Sequence, residues 1–253
     1  MIYDLQKANI WKRISAALFD LILIGIVIVG AAFALSAILD YDSYTQRMEE
    51  HYLTYEQLYQ VDFEISSEDY QKLTEGEKQA YEQALQALSA DEDFNYVYSM
   101  LINLTLLITT FGILLGFLLL EFLVPLLFGN GQTLGKKVFG VGVMRIDGVK
   151  LTPLQLFVRT VLGKYTVETM IPAMLLIMVY FNFVGYMAAG AILLLLLLQL
   201  ALVLGTRTHT AIHDKLAGTV AVDMASQMIF DTPEALLAYK KKLHEEQVNN
   251  TPS

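Results

Sequence analysis

The sequence predicts an all-α membrane protein with four transmembrane helices, a short cytoplasmic β-hairpin and a helical, acidic outer loop domain. Three observations predict it. Hydrophobic residues make up 55% of the 253 positions, with a mean hydropathy of +0.47. They gather in three long blocks rather than at core-like intervals. The charges are segregated as well: 15 of the 26 acidic residues, against only Arg47, Lys72 and Lys78, fall within residues 40–95. The remainder carries 14 basic against 11 acidic residues, so the overall charge of −9 belongs to that one segment.

The first block, residues 14–39, is long enough at about 1.5 Å per residue to cross a hydrocarbon core of roughly 30 Å. It contains Asp20, seven residues after Arg13. Two helical turns put both on one face, with Arg13 at the wet end. The run also fits a cleaved signal peptide, with Lys7, Lys12 and Arg13 as its basic region and Ala32-Phe33-Ala34 or Leu35-Ser36-Ala37 as a cleavage site. Its length and the interruption at Asp20 favour a retained span.

The second block, residues 96–128, exceeds one perpendicular span, so its first turns project past the surface. Glu121 lies in its far half, and Gly112 and Gly116 have the spacing that admits a neighbouring helix. The third block, residues 168–204, has basic flanks on both sides: Lys136, Lys137, Arg145, Lys150, Arg159 and Lys164 before, Arg207, Lys215 and Lys240 to Lys242 after. Both flanks are therefore expected inside, which requires an even number of crossings. Two short spans joined near Asn182 to Gly185 satisfy this, giving four spans with both termini cytoplasmic.

The expected segments are 1–39 (N-terminus and first span), 40–95 (acidic outer insertion), 96–128 (second span), 129–166 (cytoplasmic hairpin and amphipathic helix), 167–205 (two-span hairpin) and 206–253 (C-terminal segment and helix). In the insertion, Thr74-x-x-Glu77 is a capping box, and Ala80, Tyr81, Ala84, Leu85 and Leu88 recur at helical spacing. Tyr41, Tyr44, Tyr52, Tyr55 and Tyr59 suggest another helix resting at the interface. The acidity reads as a solvated outer face, or as cation gathering at a pore mouth.

Residues 129–137 look like a phosphate loop but fail in detail. Gly131 to Gly135 is one residue short of G-x-x-x-x-G-K, and Lys137 stands where Ser or Thr belongs. Residues 138–150 alternate and turn at Asp147-Gly148, which predicts the hairpin. Thr152-Pro153 then caps a helix carrying Arg159. A second capped helix over 232–247, with Leu236, Leu237, Tyr239 and Leu243 beside Lys240 to Lys242, suits anionic lipid or a partner equally.

Four blocks in order carry a resemblance. Lys12-Arg13-Ile14-Ser15-Ala16-Ala17-Leu18-Phe19-Asp20, then Gly131-Gln132-Thr133-Leu134-Gly135-Lys136-Lys137, then Arg159-Thr160, then His213-Asp214-Lys215-Leu216-Ala217-Gly218-Thr219 resemble the signatures of the RDD family of prokaryotic membrane proteins. The resemblance implies that Arg13 and Asp20 take the family's first arginine and first aspartate, and Asp214 the second. It also implies transport, with cation and proton exchange among the candidate activities. The acidic insertion and the fourth span depart from the shortest members.

Asp20 lies about 10 Å beyond Arg13, and Glu121 about 12 Å before Gly129, so both carboxylates sit at similar depth on neighbouring antiparallel helices. Facing each other, they would bind one cation or share a proton. Alternatively each pairs with an arginine, Asp20 with Arg13 or Arg159, as helix-packing glue. His213 and Asp214, beside Arg207 and His209, suit a proton relay, a metal, or a turn in which Asp214 ties down the hairpin and Arg159; a metal lacks a third ligand by spacing. Glu168 is expected in the headgroup region.

The candidate polar cluster is thus Arg13, Asp20, Glu121, Arg159, His213 and Asp214. The partners implied are the lipid bilayer and monovalent cations or protons. Four spans enclose little lumen, so transport calls for a homo-oligomer. Nucleic acid is disfavoured by the lack of a basic stripe interleaved with aromatics. There are no cysteines, no nucleophile, zinc-protease or kinase motif, and no cofactor is expected, so an enzyme is the weakest class. The rival class is a non-transporting accessory or sensor protein whose acidic outer domain binds a partner. Orientation is directly testable. Single cysteines at positions 67, 148 and 226 should react with an impermeant thiol reagent on intact cells only at 67, and labelling at 148 or 226 would overturn the topology.

Overall fold

The computed structural model describes residues 5–180, 186–206 and 209–249. Four helices are long and apolar enough to cross a membrane: α1 (Ile10–Ile38), α5 (Glu92–Phe128), α7 (Pro153–Val179) and α8 (Tyr186–Gly205). The predicted all-α, four-span fold class is therefore observed. The chain divides into two compact units, residues 29–112 and the remainder.

The unit of residues 29–112 holds α2 (Tyr41–Tyr59), α3 (Ser67–Lys72) and α4 (Glu75–Ala90), with the adjoining parts of α1 and α5. The capping box that starts α4 is formed: the Thr74 amide donates to Glu77 at 2.7 Å, and the Glu77 amide donates back to Thr74 Oγ1 at 3.4 Å. Ala84 and Leu88 face inward with Phe94 and Val97, whereas Leu85 is exposed. Two tyrosines of α2 make contacts within this unit. Tyr52 meets Phe63 and Phe94 edge-on, and Tyr55 donates a hydrogen bond to Asp91 at 3.0 Å. Arg47 and His51 both reach Asp93, so part of the acidity is internally paired.

The other unit contains α6 (Leu134–Val138), α9 (Ile212–Ala217), α10 (Pro233–Asn249) and a two-stranded antiparallel sheet of β1 (Val141–Arg145) and β2 (Thr219–Asp223), in register from Val141 opposite Asp223 to Arg145 opposite Thr219. This corrects the hairpin expected over 138–150. The Asp147-Gly148 turn does form, with the Gly148 amide donating to Arg145 and the Arg145 amide to Val149. Only four residues then remain before Pro153 starts α7, too few for a return strand. Val149 and Lys150 pair with Phe230 instead, and β1 finds its partner nearly eighty residues on. The N-terminal segment joins the same sheet through Lys7 beside Val222, and Ala8, Val141 and Ala221 close a small core there.

One further boundary changes. The amphipathic helix placed within 129–166 is continuous with the third span: Thr152 and Gln155 cap one helix that runs through Pro172 to Val179. The turn at Asn182 to Gly185 lies outside the described residues; α7 and α8 on either side of it pack together. On α10, Leu236 is buried with Val149 and Phe230, and Tyr239 stacks obliquely on Phe230 at 5.3 Å, so these two dock on the sheet's own periphery while Leu237 stays exposed.

Candidate functional site

Along α1, only Ala16, Asp20 and Ile24 are buried, one residue per turn on a single narrow stripe. Leu18, Phe19, Leu21, Ile22 and Ile26 around them are exposed, as a lipid-facing surface requires. Asp20 therefore points from a spanning helix into the unit.

What meets it is the segment that resembled a phosphate loop. Thr133 N-caps α6 and donates its hydroxyl to Asp20 Oδ2. The Gly135 amide donates to Oδ1 at 2.7 Å. The Lys136 ammonium lies 3.8 Å from Oδ2. A Cβ on Gly135 would fall 2.9 Å from the Asp20 carboxylate and still closer to the Ala16 carbonyl, so only glycine lets this backbone reach α1. The loop's amide, hydroxyl and lysine thus cradle an anion, but the anion is a side chain of the same protein. This corrects the expected pairing of Asp20 with Arg13 or Arg159.

Lys136 extends the contact to a second span. Its Nζ is 3.8 Å from Glu121 Oε2 and 3.1 Å from Thr133 Oγ1. Lys164 donates to the other oxygen, Oε1 of Glu121. Asp20 and Glu121 do converge as their depth suggested, with the chain's own ammonium between them. Pro125 lacks the N–H that would reach the Glu121 carbonyl in a regular helix, and the Thr160 hydroxyl donates to that carbonyl at 2.9 Å. Around Glu121, residues Leu118–Leu123 are wound as a π-helix.

A longer π-helical stretch, Val158–Met170 within α7, supplies Arg159, Thr160, Gly163, Lys164 and Glu168. Such winding is rare and concentrates at functional sites. Thr166 and Thr169 donate their hydroxyls to carbonyls five residues earlier, at 2.8 Å each. Arg159 Nε and Nη2 both donate to Asp214 Oδ1, at 3.1 and 2.9 Å, and Thr219 donates to the same oxygen at 3.0 Å. Arg13 reaches away from Asp20: it donates to the His209 carbonyl at 2.7 Å and comes within 3.7 Å of Asp214. Gly163 packs on α9, where a Cβ would lie 2.5 Å from that of His213.

Glu168, partly exposed, turns toward α9. It accepts from the His213 amide at 3.0 Å, and its Oε2 lies 2.8 Å from His213 Nδ1. The six residues singled out from the sequence all line one cavity of about 540 Å³ together with Lys136, Lys164 and Glu168. Arg207 lies outside the described residues.

Lys136, Lys164 and Glu168 escaped the sequence reading for different reasons. The lysines look like ordinary basic flanks of a span. Glu168 stands at the start of an apolar block, although its spacing of four from Lys164 and eight from Thr160 would have placed all three on one helix face.

Burial, reinforced by Lys164 and Arg159 and opposed by Glu121 and Asp20, brings the Lys136 ammonium down to about 8. Burial alone would raise Asp214, but Arg159, His213 and Arg13 outweigh it and hold the carboxyl well below its ordinary range. Burial also lowers His213 below 6.5, against the opposing pull of Asp214 and Glu168.

A family model for the RDD family matches residues 7–218. The chain belongs to the RDD family. With four apolar helices of spanning length, it is a multi-pass membrane protein. Searches of curated proteins and of solved structures returned no match. In this RDD-family chain the matched region includes the six residues singled out from the sequence together with Lys136, Lys164 and Glu168.

The His213 environment gives a pH prediction. The ring takes up its proton below 6.5 when folded and near 6.5 when unfolded, so the unfolded chain binds more protons as pH falls through that value. Stability should therefore decline on acidification from pH about 7 to about 5. The melting temperature of detergent-solubilised protein should fall less steeply in His213→Asn than in the wild type, and equal slopes would refute the assignment.

Proposed function

We propose that the chain is a small ion-handling transporter, in which a monovalent cation and protons exchange through the polar cavity. One observation carries this reading. Oε2 of Glu121 and Oδ2 of Asp214 are buried in residues that line the cavity and take no hydrogen bond among the described residues; they face cations only at ion-pair distance, Lys136 at 3.8 Å from Oε2, and His213 Nε2 at 3.6 Å and Arg13 at 3.7 Å from Oδ2. Buried oxygens held only by cations beyond hydrogen-bond reach keep acceptor capacity in hand, which suits an intermittent occupant. Ionisable groups inside spans are functional candidates for the same reason.

The orientation that suits this reading places both termini and the sheet on the cytoplasmic side of a bacterial inner membrane, with the acidic residues 40–95 outside. It rests on the basic flanks of α7 and α8. Four spans leave a narrow lumen, which favours a homo-oligomer as the working unit. The competing reading makes the cluster packing glue in an accessory or sensor protein. Charge balance favours that rival, since Arg13, Lys136, Arg159 and Lys164 offset Asp20, Glu121, Glu168 and Asp214.

Reconstituted vesicles with an internal pH dye, challenged with Na⁺, K⁺ or Li⁺ gradients, separate the two. Transport predicts cation-dependent pH changes that Asp20→Asn abolishes while folded yield is kept, because the amide keeps the size and one acceptor for the Gly135 N–H, and its NH₂ can donate to the Thr133 hydroxyl in reversed sense. If Asp20 only holds the bundle together, Asp20→Asn should lower the yield instead, with normal activity in each surviving molecule.

A further inference from the structure

Among the described residues, Lys136 reaches the carboxylates of both of the first two long helices. Its ammonium sits where three oxygens converge: Asp20 Oδ2 and Glu121 Oε2, each at 3.8 Å, and Thr133 Oγ1 at 3.1 Å. These oxygens come from α1, α5 and the cap of α6, so the seat is assembled by tertiary structure. The ion-pair distances exceed those of a close contact. Glu121 lines the cavity, and its Oε2 is buried and makes no hydrogen bond among the described residues, including to Lys136. The stem that carries the charge starts from a five-residue helix tied to α1 through Thr133 and Gly135.

We propose that Lys136 is a tethered cation, and that the place its ammonium holds between Asp20, Glu121 and Thr133 is a binding seat for a free monovalent cation, which enters only when the lysine withdraws. Carboxylate and hydroxyl oxygens are the hard donors that alkali cations take. Charge conservation requires the exchange. Lys164 already serves the other oxygen of Glu121, and Arg159 serves Asp214. Removing the Lys136 charge leaves the cavity one positive charge short, in surroundings where an uncompensated carboxylate is costly. A cation from solution with the same charge restores the balance, whereas a divalent ion overshoots it. Lys136 is on this view a specificity-determining residue: it excludes ions while seated and fixes the exchange at one charge for one charge.

The inference rests on the ion-handling reading of the cavity, but it is tested by binding rather than by transport. Vesicles without exchange activity would count against that reading while leaving the binding result to stand. Lys136→Met keeps the stem and removes the charge. Purified in choline chloride and titrated with NaCl or KCl, and followed by ²³Na line broadening and by calorimetry, it should bind Na⁺ or K⁺ at least tenfold more tightly than the wild type. Adding Glu121→Gln should abolish the gain. Equal affinity in Lys136→Met and wild type would overturn the proposal.

Folding itself is a second readout. If Lys136→Met is recovered only in the presence of Na⁺ or K⁺, the seat is being filled. If it fails in every salt, no free ion can replace the ammonium and the proposal falls, whether or not Lys136→Met/Glu121→Gln folds.

Discussion

A carboxylate on a lipid-facing helix cannot be neutralised by its own helix, whose backbone donors are already engaged, so compensation must arrive from elsewhere in the chain. For Asp20 it arrives on a loop more than a hundred residues later, as one amide, one hydroxyl and one ammonium. Much of the remaining architecture follows from delivering those three groups. Gly135 must lack a side chain so that backbone can touch α1. Thr133 must cap α6 to be oriented. Lys136, once in place, brings in Glu121, and Glu121 brings in Lys164 and Thr160 from α7. A single buried charge on the first span thus ties together α1, α5, α6 and α7.

The second half of the network obeys the same constraint from the other direction. Asp214 sits on a short helix, completely enclosed, and is held by Arg159 with support from Arg13 and Thr219. Removing one partner of such a pair typically costs about 3–5 kcal/mol, because the other charge is left buried and alone. The two halves share the π-wound stretch of α7, which presents Arg159 to Asp214, Lys164 to Glu121 and Glu168 to His213 along one helix. Helix winding of this kind places more side chains on the interior face at the cost of regular bonding, and the Thr166 and Thr169 hydroxyls take up carbonyls that it exposes. A network so closely balanced in charge stabilises the bundle when complete. It also responds to any ion or proton that changes the count.

Much of the fold was legible because lipid imposes simple rules. Long apolar blocks, basic flanks and the capping boxes at Thr74 and Thr152 locate the spans and helix starts with little help from tertiary contacts. The small sheet was half legible: β1 alternates and its turn chemistry is correct, but the partner strand at Thr219–Asp223 is remote, and nothing local distinguishes a hairpin from a long-range pair. Arg13, Asp20, Glu121, Arg159, His213 and Asp214 stood out because charge in or beside an apolar block is anomalous. Their pairing did not stand out. Two turns of spacing suggested Arg13 for Asp20, whereas the short aspartate is reached by a loop and the long arginine turns toward His209 and Asp214. Lys136 was hidden by its surroundings, since a lysine beside a span is the commonest sight in a membrane protein.

The central claim is that the Thr133 to Lys136 loop exists in its present form to compensate Asp20. A double-mutant cycle in thermal unfolding of the detergent-solubilised protein, combining Asp20→Asn with Thr133→Val, tests it most directly. The account predicts strong coupling, about 1 kcal/mol or more, because once the carboxylate is gone the hydroxyl has lost the charge it serves. Additivity within about 0.5 kcal/mol would contradict it, and would mean that the loop and Asp20 stabilise the protein independently.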